Sequence, residues 1–200
     1  MNESAYYSGL DLGQPHEFTA LVVVERRLTT DFDRPSRSVS RFDVRHIHRW
    51  PLGTNYPAIA ADLKNLFAEK PLKGSELIID QTGVGRAVVD LIRSSEIAAS
   101  MRAYTITAGE TGHGRTVAKK NLVGAVQAPL QERRLRFAES LPLTPTLARE
   151  LEMFRTKATF DNSDVFAGWR ERDHDDLVLG LALALYAASI PPITITTFIW

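Results

Sequence analysis

Apolar residues fall along this chain in two patterns: short runs that end on an aspartate, and stripes that repeat every three or four positions. The first run, Ala5–Leu12, closes on Asp11-Leu12-Gly13, and a loop over Gly13, Gln14, Pro15 and His16 leads into Thr19–Glu25. Val22, Val23 and Val24 are consecutive β-branched residues and suit a strand buried on both faces. The charged segment Arg26–Arg37, with Pro35 inside it, is expected to loop out. Ser38–Trp50 reads as a long strand whose alternation is imperfect, which predicts a bulge or a sheet edge.

The helical stripes begin at Pro57, with Ile59, Leu63, Leu66 and Phe67 on one face and Pro71 and Gly74 closing the segment. Glu76–Asp80 is a second buried strand ending on aspartate, followed by the loop Gln81-Thr82-Gly83-Val84-Gly85. Val88, Leu91 and Ile92 mark another helix, and Met101–Thr107 another strand. Gly109–Gly114 is expected to be a mobile loop. Val117–Arg133 predicts a helix that breaks at Pro129. Leu135–Ala138 predicts a short edge strand, Leu147–Phe154 an amphipathic helix and Asp176–Ala188 an almost wholly apolar one.

Three strands joined directly are antiparallel neighbours, whereas the later strand–helix–strand crossovers are parallel and right-handed. The expected class is α/β, a mixed central sheet with helices on both faces. One domain over residues 1–190 is expected, followed by a tail at 191–200 that alternates like a strand and packs elsewhere.

Composition narrows the chemistry. The chain has 200 residues and no cysteine, which excludes a disulfide scaffold, a thiolate metal site and a cysteine nucleophile. Its 24 basic and 24 acidic side chains cancel, which argues against non-specific polycation binding to nucleic acid but leaves room for a local basic patch. No run approaches the ~20 apolar residues of a membrane span, and Met1–Tyr7 lacks the pattern of a signal peptide. A soluble, intracellular protein is expected.

Asp11 and Asp80 each end a buried strand. Open sheets bind ligands at the carboxyl ends of their strands, and adjacent parallel placement of the first and fourth strands would set these two carboxylates side by side. Asp173, His174, Asp175 and Asp176 precede the last helix, which can aim a carboxylate at the same point. Converging carboxylates repel unless neutralised, and with no arginine in these motifs the natural partner is a hard cation, Mg²⁺ or Mn²⁺. Two such ions, about 3.5–4 Å apart, activate a water and stabilise the leaving oxygen of a phosphodiester. The glycines at 13, 83 and 85 allow backbone to approach a phosphate. Each aspartate alone reads equally as a turn or cap residue, with Asp175 or Asp176 capping the last helix and Asp173 a solvated cap. His46 and His48 read as a solvated strand face, Trp169 as core or rim. Arg133-Arg134-Leu135-Arg136 and Arg170-Glu171-Arg172 suit phosphate contact or plain solvation equally.

The motifs Asp11-Leu12-Gly13 with Thr19–Val24, Ile79–Gly85, Val117–Val123 and above all His174-Asp175-Asp176 before an Ala/Leu-rich helix resemble the nuclease domain of tailed-phage terminase large subunits. The resemblance spans residues 6–188. It implies an RNase H-like fold and a metal-dependent endonuclease cutting double-stranded DNA in viral genome packaging, in the host cytoplasm. Asp11, Asp80 and one or both of Asp175 and Asp176 would hold two Mg²⁺ or Mn²⁺ ions. His174 would assist, and Lys119, Lys120 and Arg115 would contact DNA. An ATPase domain or motor, with portal and small terminase proteins, are the implied partners. The chain itself has no room for that ATPase, so it is either an excised domain or an autonomous nuclease. Gly109–Thr116 falls one residue short of a phosphate-binding loop, with Arg115 where lysine is required. A Holliday-junction-resolvase-like nuclease and a non-catalytic RNase H-like binding module are the alternatives.

Overall fold

The computed structural model describes residues 4–30, 38–108, 114–160 and 175–190. Seven strands form one sheet: β1 (Ser4–Asp11), β2 (Ala20–Thr30), β3 (Ser38–Arg49), β4 (Glu76–Asp80), β5 (Ser100–Thr107), β6 (Thr116–Ala118) and β7 (Leu135–Phe137). Their order is β6-β5-β4-β1-β2-β3-β7. β2 is antiparallel to β1 and β3, and every other pairing is parallel. Six of these strands therefore point their C-terminal ends the same way as Asp11 and Asp80: β1, β3, β4, β5, β6 and β7.

Among the described residues five helices cover the two faces: α1 (Tyr56–Leu66), α2 (Gly85–Ser94), α3 (Lys119–Gln131), α4 (Thr144–Phe160) and α5 (Asp176–Ser189). Alternation along the strands divides the core. Leu10, Leu21, Leu77 and Ile79 pack with α1 and α2, whereas Tyr7, Val22, Val24 and Ile78 pack with α3, α4 and α5. α5 is buried nearly all round, which is why its sequence carries no polar stripe.

Several boundaries differ from the sequence pattern. Arg26–Thr30 does not loop out; β2 pairs with β3 as far as Thr30 and Ser38. Its charges are accommodated because Glu25 and Asp43, both buried, are ringed by Arg27, Arg45 and Arg136. The irregularity predicted in the third strand is a register shift opposite Val23 and Val24. Val117 and Ala118 are strand, not helix, because they extend the sheet beside Ile106 and Thr107. Pro129 does not break α3, which ends only two residues later at Gln131; the Pro129 carbonyl then accepts from the Arg134 amide at 2.8 Å. The 191–200 tail and the Gly109–His113 part of the predicted loop lie outside the described residues.

α5 sits on β1 without a side chain between them. A Cβ on Gly9 would stand 1.9 Å from the Gly180 carbonyl oxygen and 2.8 Å from the Ala184 nitrogen, both backbone atoms. Gly9→Ala is therefore expected to destabilise the protein by about 1–3 kcal/mol or more, since neither backbone can yield locally. Gly124→Ala, on the exposed side of α3 with nothing within 4 Å of the new methyl, is expected to stabilise by about 0.5–1 kcal/mol. Chemical denaturation of both variants checks this, and equal effects would contradict the close contact.

Candidate active site

One row of register partners crosses the sheet at its C-terminal edge. Tyr104 on β5 pairs with Asp80, Asp80 with Asp11, Asp11 with Ala20 on β2, and Ala20 with Arg49 on β3. Register partners project from the same face, about 4.8 Å apart from strand to strand. That face is the one under α5. Ala20 belongs to its core, and Tyr104 meets Tyr186 of α5 edge to face at 6.0 Å. The sheet thus sets Asp11 and Asp80 side by side, as the aspartate-terminated runs predict.

Asp80 is 1% exposed and held in a fixed orientation. Its Oδ1 accepts from the Thr82 amide at 2.8 Å and from the Thr82 hydroxyl, and Thr82 Oγ1 in turn accepts from the Ile106 amide at 2.8 Å. Gln81 ties the same loop to β5, donating its amide to the Tyr104 carbonyl at 3.0 Å and its side chain to Thr105 Oγ1 at 3.0 Å. Asp11 is half-buried. The loop after it is closed by the Gly13 amide on Thr19 Oγ1 at 3.1 Å, and a Cβ at Gly13 would meet the Phe18 carbonyl at 2.3 Å. Gly13 is thus required by its own hairpin.

At the start of α5 the two aspartates part company. Asp175 occupies the N-cap position, half-buried, without a side-chain cap bond. Asp176 lies four residues before Gly180 and shares its sheet-facing side. Both oxygens of Asp176 accept from Arg49, Oδ2 from Nε at 2.7 Å and Oδ1 from Nη2 at 2.9 Å. Nη2 also donates to Glu150 Oε1. Glu150 Oε2 accepts from the Leu177 and Val178 amides, each at 3.2 Å. Glu150, on α4, therefore caps α5 from outside, satisfying two of its unpaired first-turn donors. The Phe18 ring lies 5.0 Å from the Arg49 guanidinium carbon.

The arginine that serves the acidic motif lies outside it: Arg49 reaches Asp176 across 127 residues. Glu150 is the residue that motif reasoning misses. Its signal is positional, because Leu147, Glu150, Leu151 and Phe154 form one helical stripe and a carboxylate on it must be buried with partners. Burial, and then the Asp176 charge, push the Glu150 carboxyl up to about 7, against the pull of Arg49 and the Val178 amide.

Lys119 and Lys120 open α3 at the same sheet edge, two strands from Asp80, the first half-buried and the second exposed. Arg115, exposed, immediately precedes β6, and its carbonyl accepts from the Thr105 amide at 2.9 Å. His46 and His48 stack at 6.2 Å on the opposite face, and burial lowers the His46 pKa. His174, Asp173, Arg170, Arg172 and Trp169 lie outside the described residues. Among the described residues no three acidic or histidine side chains converge closely enough to enclose a cation. The donors that Asp11, Asp80 and Asp176 offer are nonetheless all carboxylate oxygens, the chemistry a hard divalent cation takes.

Sheet order, register and helix placement define an RNase H-like α/β fold. No family model matches the chain, and no curated protein matches it. Among solved structures, the large terminase nuclease of the thermophilic phage G20c superposes with a TM-score of 0.57 at 19% identity, covering 91% of this chain and 81% of that one. The nuclease domain of the bacteriophage SPP1 large terminase, solved with bound Mn, gives 0.43 at 17% identity over 74% of this chain and 67% of that one. Thermus thermophilus RuvC gives 0.43 at 11% identity over 92% and 93%. The protein has the fold of a large terminase nuclease.

A carboxyl whose folded pKa stands near 7 against an ordinary value of 4.5 takes up a proton on folding between those two values. Its stability contribution is intact below about pH 4.5 and is lost as pH rises through about 7. Melting temperatures in chelator should accordingly fall between about pH 5 and pH 8 less steeply for Glu150→Gln than for the wild type. Parallel pH curves would contradict the assignment.

Proposed function

We propose that the protein is a metal-dependent endonuclease that hydrolyses phosphodiester bonds of double-stranded DNA, as in viral genome packaging. The observation that carries this reading is the side-by-side pairing of Asp11 and Asp80 at the C-terminal edge of the sheet, under the start of α5. Two carboxylates so close repel unless a cation lies between them. Two Mg²⁺ or Mn²⁺ ions held by Asp11, Asp80 and Asp176 supply, when bound, activation of a water and neutralisation of the phosphate. Thr82 keeps one oxygen of Asp80 oriented. Asp176 approaches from the helix side, where Gly180 lets α5 come down to the strand. Asp175 and His174 complete the acidic motif as the terminase resemblance implies.

Lys119, Lys120 and Arg115 take the DNA backbone in this reading. Two lysines in the first turn of a helix oppose its dipole, a placement that a nearby phosphate turns into a favourable one. A chain without net charge binds DNA weakly by itself, so an ATPase motor is the natural tether. One observation favours a non-catalytic DNA- or protein-binding module instead: Arg49 already neutralises Asp176.

Incubation of supercoiled plasmid with Mn²⁺, Mg²⁺ or EDTA distinguishes the two. Metal-dependent nicking and linearisation are expected, reduced at least ~100-fold in Asp80→Asn, the scale on which a single preorganised group acts. Equal cleavage by that variant at matched purity would refute the site, and no cleavage by folded wild type would favour the binding module.

A further inference from the structure

We infer that Arg49 is the built-in countercharge of this site: its guanidinium holds Asp176 while the cation is absent, and a divalent ion on the row takes that carboxylate from it. The inference rests on the metal-dependent reading above and adds a residue that sets how tightly the site loads.

Arg49 is no distant surface charge. It stands in the same cross-sheet row as Asp11 and Asp80, two strands from Asp11 and on the same face, with only Ala20 between. The Arg49 side chain is 14% exposed, that of Asp176 7% and that of Glu150 8%, so this is a desolvated cluster of two carboxylates on one cation. Leaving any one of the three unpaired there is costly. The arrangement has an answer to that problem. Nη2 bridges both carboxylates, so when Asp176 turns toward a cation, Glu150 still pairs with Arg49. Glu150 also keeps its hold on the Leu177 and Val178 amides, so the start of α5 stays anchored while its first side chain turns. The Phe18 ring gives the guanidinium a further resting contact.

A purely structural ion pair and a competing countercharge predict opposite signs. If Arg49 merely braced Asp176, its loss would loosen the ligand and weaken cation binding. As a competitor, its loss removes a positive charge that a cation must displace, and binding tightens. Mn²⁺ titration by calorimetry, with the melting temperature followed at each concentration, reads the sign directly in wild type, Arg49→Gln, Arg49→Lys and Asp80→Asn. The metal-free Arg49→Gln protein should melt below wild type yet bind Mn²⁺ roughly tenfold more tightly, about the effect of one unit of differential interaction. Arg49→Lys keeps the charge but not the two-pronged grip and should fall between the two, which preserves the test if the glutamine variant does not fold. Unchanged or weaker binding in both Arg49 variants, with wild type binding and Asp80→Asn not, would overturn the inference and leave the metal site standing. Absence of Mn²⁺ binding in all four proteins would overturn both.

Discussion

Everything at the acidic edge depends on the contact between Gly9 and Gly180. A strand and a helix normally stand apart by the thickness of their side chains, which would hold the start of α5 well above the sheet. Here both elements present glycine at the crossing, and the Gly180 carbonyl lies where any other residue at position 9 would put a methyl group. The helix drops to backbone contact, and Asp176, one turn before Gly180, arrives at Arg49, the β3 end of the row that carries Asp11 and Asp80. Other contacts keep α5 in that seat. Arg49 and Glu150 grip its first turn, and Arg26 donates to the Ala188 carbonyl at 2.9 Å at its last, where a cation suits the exposed carbonyl end.

The seat has an electrostatic consequence. Bringing a helix start carrying two aspartates onto a pair of strand-end aspartates concentrates negative charge where water is scarce. The protein divides the burden. Asp176 shares the guanidinium of Arg49 with Glu150, and Asp80 leans on the Thr82 amide and hydroxyl. That leaves a half-buried, oxygen-rich edge beside the basic start of α3, with a sheet rigid enough to hold Asp11 and Asp80 in register. An edge of that kind is suited to a hard cation and a phosphodiester, which is the ground of the nuclease reading.

Much of this was legible in the residues. Apolar runs ending in aspartate identify β1 and β4, because strands buried on both faces leave little choice of pattern; that the two are parallel neighbours comes from the sheet itself. The helix with no polar side announces α5. The failures have a common cause, the long-range pairing of charges. Arg26–Thr30 looks like a linker because its charges seem to need water, yet Glu25 and Asp43 supply partners inside the sheet. Arg49 and Glu150 lie 101 residues apart, and nothing local says that they meet. Only the position of Glu150 on an apolar stripe hints that a partner must exist. β6 escaped because three residues carry no period.

Anomalous diffraction from crystals soaked in Mn²⁺ tests the account at its centre. The account predicts anomalous density within about 2 Å of a carboxylate oxygen of both Asp11 and Asp80, with the Asp176 side chain turned from Arg49 toward it. Density elsewhere, or none on the row with Asp176 still held by Arg49, would contradict it.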